Sequence, residues 1–106
     1  MAAAGTPGES WTWRFAVPAA HPAFAGHFPG RPLVPGVVLL DMVFAHLAAS
    51  GHGAATRLLR AKFTAPVGPE EEVVVALRPS GPGRLAFQGQ CRGLPAFSGE
   101  VAWPTP

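Results

Sequence analysis

Little in this chain points to disulfides, membranes or nucleic acid. Its 106 residues include one cysteine, Cys91, which excludes an internal disulfide framework and fits a reducing, cytoplasmic compartment. No run of about 18 apolar residues occurs, so no membrane-spanning helix is expected. The first ten residues lack the basic region and apolar stretch of a secretory signal. Only 13% of residues are charged and the formal net charge is +2. With no basic run interleaved with aromatics, nucleic acid is not an expected partner. The four histidines and the single thiol stand at no metal-ligand spacing, so no metal site is expected. Lysine occurs once, at Lys62, against abundant Ala, Gly, Pro and Arg, a compositional bias that carries no functional weight.

What the chain does have is apolar surface. Hydrophobic residues make up 48% of a sequence long enough for one domain but with little interior to spare. A self-associating surface or an apolar ligand tunnel would account for the surplus. Residues 1–10 read as a frayed tail and 11–106 as a single domain. Trp11, Trp13, Phe15 and Val17 alternate with smaller or polar residues, the pattern of a half-buried strand closed by Pro18. From Val37 to Ser50 there is neither Gly nor Pro. Val37, Leu40, Asp41, Phe44, Leu47 and Ala48 share one helical stripe there, and the other positions are also largely apolar, so the helix is expected to be surrounded by protein. Gly51 and Gly53 stop it.

Four strands then follow: 57–65, 71–78, 84–92 and 94–103. Pro66 with Gly68-Pro69, Ser80-Gly81-Pro82-Gly83 and Gly93 mark the turns between them. In the first, Leu59, Ala61 and Phe63 oppose Arg60, Lys62 and Thr64. In the third, Leu85, Phe87, Gly89 and Cys91 oppose Ala86, Gln88 and Gln90. One helix followed by a run of antiparallel strands that curl round it is an α+β architecture.

The densest chemistry lies in Gly26–Asp41, GHFPGRPLVPGVVLLD. Gly26, Pro29, Gly30, Pro32, Pro35 and Gly36 make a short, conformationally restricted loop around His27, which leads into the helix bearing Asp41. Burial and the helix N-terminus act in opposite directions on a carboxyl so placed. A neutral His can act as general base and a protonated carboxyl as general acid. Read singly, each residue also has a structural explanation: Asp41 bonding a backbone amide, His27 packing in the loop. Gly36 stands at the helix start, where unpaired N–H groups can receive a developing oxyanion.

His27-Phe28-Pro29-Gly30-Arg31-Pro32, Pro35-Gly36-Val37 and then Asp41 resemble the signature of the hot-dog-fold β-hydroxyacyl-(acyl carrier protein) dehydratases. The match is close over 24–41, and the order of the other elements agrees with that fold. The resemblance implies that His27 removes a proton from the substrate α-carbon and that Asp41 protonates the departing β-hydroxyl. It further implies that the Gly36 amide polarises the thioester carbonyl and that the Leu33 carbonyl orients the His27 ring. Phe28, Pro35 and Val37 adjoin these groups and are expected to contact substrate. It implies a homodimer or higher even oligomer, with His27 of one subunit facing Asp41 of the other. It implies no metal or redox cofactor: the substrate arrives on the phosphopantetheine arm of an acyl carrier protein. Arg57, Arg60 and Lys62 then become a candidate docking patch for that acidic partner, where ordinary solvated strand surface is the alternative.

Two departures from the family pattern stand out. Many members carry a Gln four residues beyond the acid, where this chain has Ala45, and only one strand precedes the loop. Both fit a specialised member serving a polyketide-like or aryl-polyene-like pathway. Two further functions remain open at this point: a hot-dog acyl thioesterase, whose sites usually lack the His-Phe-Pro-Gly loop, and a non-catalytic hot-dog subunit that binds an acyl carrier protein. Among the other residues, His21 and His52 read as loop and turn residues. His46 lies about 140° round the helix from Asp41 and is expected to stand apart from the site. Cys91 reads as a small buried residue, and Trp11, Trp13 and Trp103 as packing.

Overall fold

Alternation in the first strand has a direct structural counterpart. The computed structural model describes residues 9–24, 33–52 and 57–103. In β1 (Trp11–Phe15), Trp11, Trp13 and Phe15 are half-buried while Thr12 and Arg14 are exposed. Neighbours on one face of a strand are two residues apart, and the rings of Trp13 and Phe15 stack 4.7 Å apart. Helix α1 (Gly36–Leu47) follows, then a π-helical turn over Ala48–His52 in which Gly51 takes φ 86° and ends the helix, as its position led one to expect. Strands β2 (Arg57–Phe63), β3 (Val73–Gly81), β4 (Arg84–Cys91) and β5 (Leu94–Ala102) complete the chain.

The five strands form one antiparallel sheet in the order β1-β3-β4-β5-β2. Sequence neighbours are therefore not all sheet neighbours. β2 lies at the edge beyond β5, and the segment after it crosses back to β3 instead of turning tightly. Two bonds hold this crossover in place: Val34 N–H donates to the Val67 carbonyl at 2.8 Å, and Glu70 N–H, at φ 60°, donates to the Val17 carbonyl at 2.8 Å. The β3–β4 turn is Pro82-Gly83 alone, because Ser80 and Gly81 continue the strand. The β4–β5 turn is Arg92-Gly93, with φ 55° and 75°, the two positive values that a two-residue hairpin matching the strand twist requires.

One face of the sheet carries Val73, Val75, Leu77, Leu85, Phe87, Phe97 and Val101, and these join Leu39, Val43 and Leu47 of α1 in a single core. Each aliphatic side chain so buried is worth about 1.5–3 kcal/mol. The core is fitted by two reciprocal glycine–phenylalanine pairs. Gly89 stands opposite Phe97 and Gly99 opposite Phe87 in the β4–β5 register, and each ring fills the space that a Cβ on its glycine would take.

The helix departs from the expected stripe. Its buried residues are Leu39, Val43 and Leu47, whereas Val37 is 64% exposed and Asp41, Ala45 and Ala48 also face outward. A helix that is apolar nearly all round has no periodic signal to choose its inner face, so the sheet chooses it. Among the described residues, the sheet covers α1 on the side of Leu39, Val43 and Leu47. In β2 a bulge between Leu58 and Arg60 shifts the register. Leu58 therefore pairs with Val101, and Leu59, at the bulge, is the half-buried residue of the strand.

Candidate functional site

The segment Leu33–Pro35 leads into α1 with Pro35 as N-cap, at φ −59° and ψ 145°. A proline cap offers no side-chain acceptor, and the Pro35 carbonyl takes the N–H groups of Val38 and Leu39 at 3.0 and 3.3 Å. The Gly36 and Val37 N–H groups therefore have no acceptor among the described residues. They carry the positive end of the helix dipole.

Beside them lies a cleft of about 560 Å3, lined by Val34, Gly36, Leu39, Phe63, Thr64, Ala65, Pro66 and Val67. Its lining side chains are apolar apart from Thr64, whose hydroxyl donates to the Pro95 carbonyl at 3.0 Å. The Phe63 ring reaches from the end of β2 to the helix start, with its Cζ 2.8 Å from where a Cβ on Gly36 would sit. Glycine at 36 thus makes room for this ring.

Asp41 lies five residues on, about 7.5 Å along the helix axis, and is exposed. Its flanking outward residues, Val37 and Ala45, are small and apolar and exposed as well. His27 and Phe28 lie outside the described residues. Of the expected site, then, the structure brings together Leu33, Pro35, Gly36 and Val37 at the helix start.

Arg57, Arg60 and Lys62 all project from β2 on the sheet face opposite the helix. Their register partners there are Ala102, Glu100 and Ser98. Arg14, Arg78 and Arg84 share that face through their pairings with Val74, Ala86 and Ala102. Six of the chain's eight Lys and Arg residues are thus gathered on one side of the sheet. A groove of about 470 Å3 crosses it, with Arg60, Arg78, Thr12, Gln88 and Ser98 among its walls.

Glu100 lies beneath these cations, 4% exposed. Its carboxylate accepts from the Ser80 hydroxyl at 2.6 Å and pairs with Arg84 Nε at 3.2 Å and Arg60 Nη1 at 3.3 Å. The Ser80 bond first, then the two guanidiniums, hold it below the usual carboxylate range against the cost of burial. Sequence reading missed this residue. A lone acid in an apolar strand, Phe97-Ser98-Gly99-Glu100-Val101, was the signal available.

Glu71 was missed as well. It pairs with Arg92 and accepts from the Gly68 N–H at 2.6 Å and the Cys91 thiol at 3.7 Å. Arg92 first and then the Gly68 amide lower its pKa, while burial raises that of Cys91. The cluster ties the start of β3 to the β4–β5 turn.

His46 stands apart from Asp41, as expected, and has its own neighbours. It stacks on Trp13 with centroids 4.2 Å apart and planes at 8°, and its Nε2 accepts from the Trp11 indole N–H at 3.0 Å. An indole N–H only donates, so Nε2 carries the lone pair. Among the described residues, no three of His, Cys, Asp and Glu converge as metal ligands, and no helix is long and apolar enough to cross a membrane.

Comparison with known proteins adds four likenesses. A family model described as ApeI-like, ApeI dehydratase, matches residues 4–100. The chain is 34% identical over 89 residues to a 3-hydroxyacyl-[acyl-carrier-protein] dehydratase, FabZ, of Vibrio parahaemolyticus, a match covering 74% of this chain and 54% of that protein. The chain therefore spans about half the length of this curated relative. Among solved structures, it superposes on the dehydratase heterocomplex ApeI:P from Xenorhabdus doucetiae with a TM-score of 0.74 at 22% identity, covering 90% of this chain and 87% of the other. It superposes on an uncharacterized protein from Erwinia carotovora subsp. atroseptica with a TM-score of 0.75 at 26% identity, over 88% and 81% of the two chains.

Proposed function

Because the chain belongs to the ApeI-like dehydratase family and has the hot-dog fold, we propose that it dehydrates a 3-hydroxyacyl thioester, carried on an acyl carrier protein, to the trans-2-enoyl thioester. The observation that carries this reading is the helix start. The uncapped Gly36 and Val37 N–H groups stand beside an apolar cleft, with a carboxyl five residues further along the same helix.

The chemistry runs as an acid–base elimination. His27 takes the α-proton, and negative charge builds on the thioester oxygen. The Gly36 amide stabilises that charge without having to reorganise. Asp41 delivers a proton to the β-hydroxyl, the C–O bond breaks, and water leaves as the double bond forms. Return of the proton from His27 to Asp41 through solvent resets the site. General acid–base steps of this kind contribute roughly 10²–10⁴-fold each. The reaction calls for no metal or redox cofactor, and its substrates belong to fatty-acid or aryl-polyene synthesis in the cytoplasm.

A second copy of the chain completes the site in this proposal. Two surfaces support it: the outward helix face around Val37 and Asp41, and the edge of β2, unpaired among the described residues, where Leu58 is 43% exposed. An unpaired edge strand is a template for another strand. The homodimer sets His27 of one subunit against Asp41 of the other. The basic sheet face, through Arg57, Arg60 and Lys62, receives the acidic carrier protein.

Incubation with 3-hydroxyacyl and enoyl carrier-protein thioesters, followed by mass spectrometry, tests the reaction. Loss or gain of one water on the acyl group is the expected result. Release of free acid would make the protein a thioesterase instead, and binding without chemical change would make it a non-catalytic subunit.

A further inference from the structure

The ring of Phe63 occupies the gap between the end of β2 and the first turn of α1. Its Cζ, Cε1 and Cε2 atoms lie 2.8, 2.9 and 3.1 Å from the position of a Cβ on Gly36, so the ring tip rests on the backbone of the helix start. The same cleft is lined by Val34, Leu39 and Val67, which are 7%, 3% and 1% exposed. The ring thus shares the cleft with side chains of the apolar interior. Among the described lining residues it is the one large hydrophobic side chain left exposed, at 48%.

We propose that Phe63 is the specificity-determining residue of this site: its ring limits how far an acyl chain passes between β2 and α1. The inference rests on the reading of the cleft as an acyl-thioester site. A thioester oxygen at the Gly36 amide places the acyl carbons beside this ring. A chain running inward, towards Leu39 and Val67, must pass the ring or displace it. The alternative path is outward, along the exposed side of the helix. The bulk at position 63 therefore sets the penalty for each additional carbon on the inward path, while the oxyanion donor stays untouched. Apolar contact there is worth about 0.8 kcal/mol per methylene buried, close to fourfold in affinity.

The test uses the full-length chain and its Phe63→Ala, Phe63→Leu and Phe63→Trp variants, checked for unchanged melting and oligomeric state. Binding of non-reacting acyl-pantetheine amides with short and long straight chains is measured by calorimetry, and turnover of the matching 3-hydroxyacyl thioesters alongside. Phe63→Ala is expected to raise the long-to-short ratio, in affinity and in kcat/KM, about fifteenfold, the gain from admitting two further methylenes. Phe63→Trp lowers the ratio, and Phe63→Leu falls between Ala and the parent. If Ala does not fold, the Leu and Trp variants bracket the effect from either side. Ratios equal within twofold across folded variants overturn the proposal, as does failure of the parent to bind any amide. A parent that binds the amides yet turns over no thioester refutes the dehydratase reading, and the binding ratios still decide the role of Phe63.

Discussion

Arg60 and Glu100 face each other across the β5–β2 register, with Nη1 3.3 Å from Oε1, one side chain 70% exposed and the other 5%. The pairing orders an edge-strand arginine over a buried carboxylate that Ser80 and Arg84 also hold. It also gives the outer sheet face an acid-sensitive element.

Glu100 is held below its ordinary value of 4.5, chiefly by the Ser80 hydroxyl and then by Arg84 and Arg60. From that ordinary value downward, the unfolded chain binds this proton more readily than the folded one, so stability rises with pH in this window. The contribution is complete above the window and is lost as pH falls through the lowered folded value. Thermal melts of the parent and Glu100→Gln across acid and neutral pH are expected to differ most at neutral pH and to converge in acid. A constant difference at every pH contradicts this.

The glycine–phenylalanine pairs predict a sharp intolerance of the smallest side chain. Gly89→Ala or Gly99→Ala is expected to cost about 1–3 kcal/mol through overpacking, although alanine is ordinarily harmless in a strand. Combining Gly89→Ala with Phe97→Leu is expected to recover part of the loss, because the opposing ring is what the new methyl meets. Chemical denaturation of the two single variants and the double variant measures the coupling. Additive losses would show that the ring is not the obstacle.

Catalysis divided between subunits predicts complementation. His27→Ala and Asp41→Asn are each expected to lose roughly 10²–10⁴-fold in kcat, the second without loss of fold, because Asp41 is exposed on its own chain. Unfolding and refolding the two inactive variants together is expected to restore up to about a quarter of parental activity, since half the dimers are mixed and one of their two sites is intact. Absence of any recovery, with mixed dimers demonstrated by mass, places both residues in one subunit's site.

Docking of an acidic carrier protein on the outer sheet face predicts a KM effect confined to carrier-bound substrate. Arg57→Ala with Lys62→Ala is the cleaner variant, because Arg60 also neutralises Glu100. KM for the carrier-linked thioester is expected to rise several-fold, more at low salt than at high, with the small pantetheine thioester unaffected. An equal change for both substrates argues against docking.

The sequence by itself determined the elements and the chemical vocabulary of the site. Alternation placed β1 and most of β4, Gly51 ended the helix, and the Pro35-Gly36 pair marked the helix start beside which the cleft lies. These features were legible because each depends on local backbone geometry or on a period that a few residues express. The tertiary structure decided the rest. Periodicity could not select the inner face of α1, since nearly every position is apolar and only the sheet distinguishes Leu39, Val43 and Leu47 from Val37 and Asp41. Strand order is a non-local property, so the displacement of β2 to the far edge left no mark in its own residues. That displacement carries Phe63 to Gly36, and it sets Arg60 over Glu100. Residues distant in the chain become neighbours there because the crossover returns along the helix start, where the bond from Val34 to Val67 holds it.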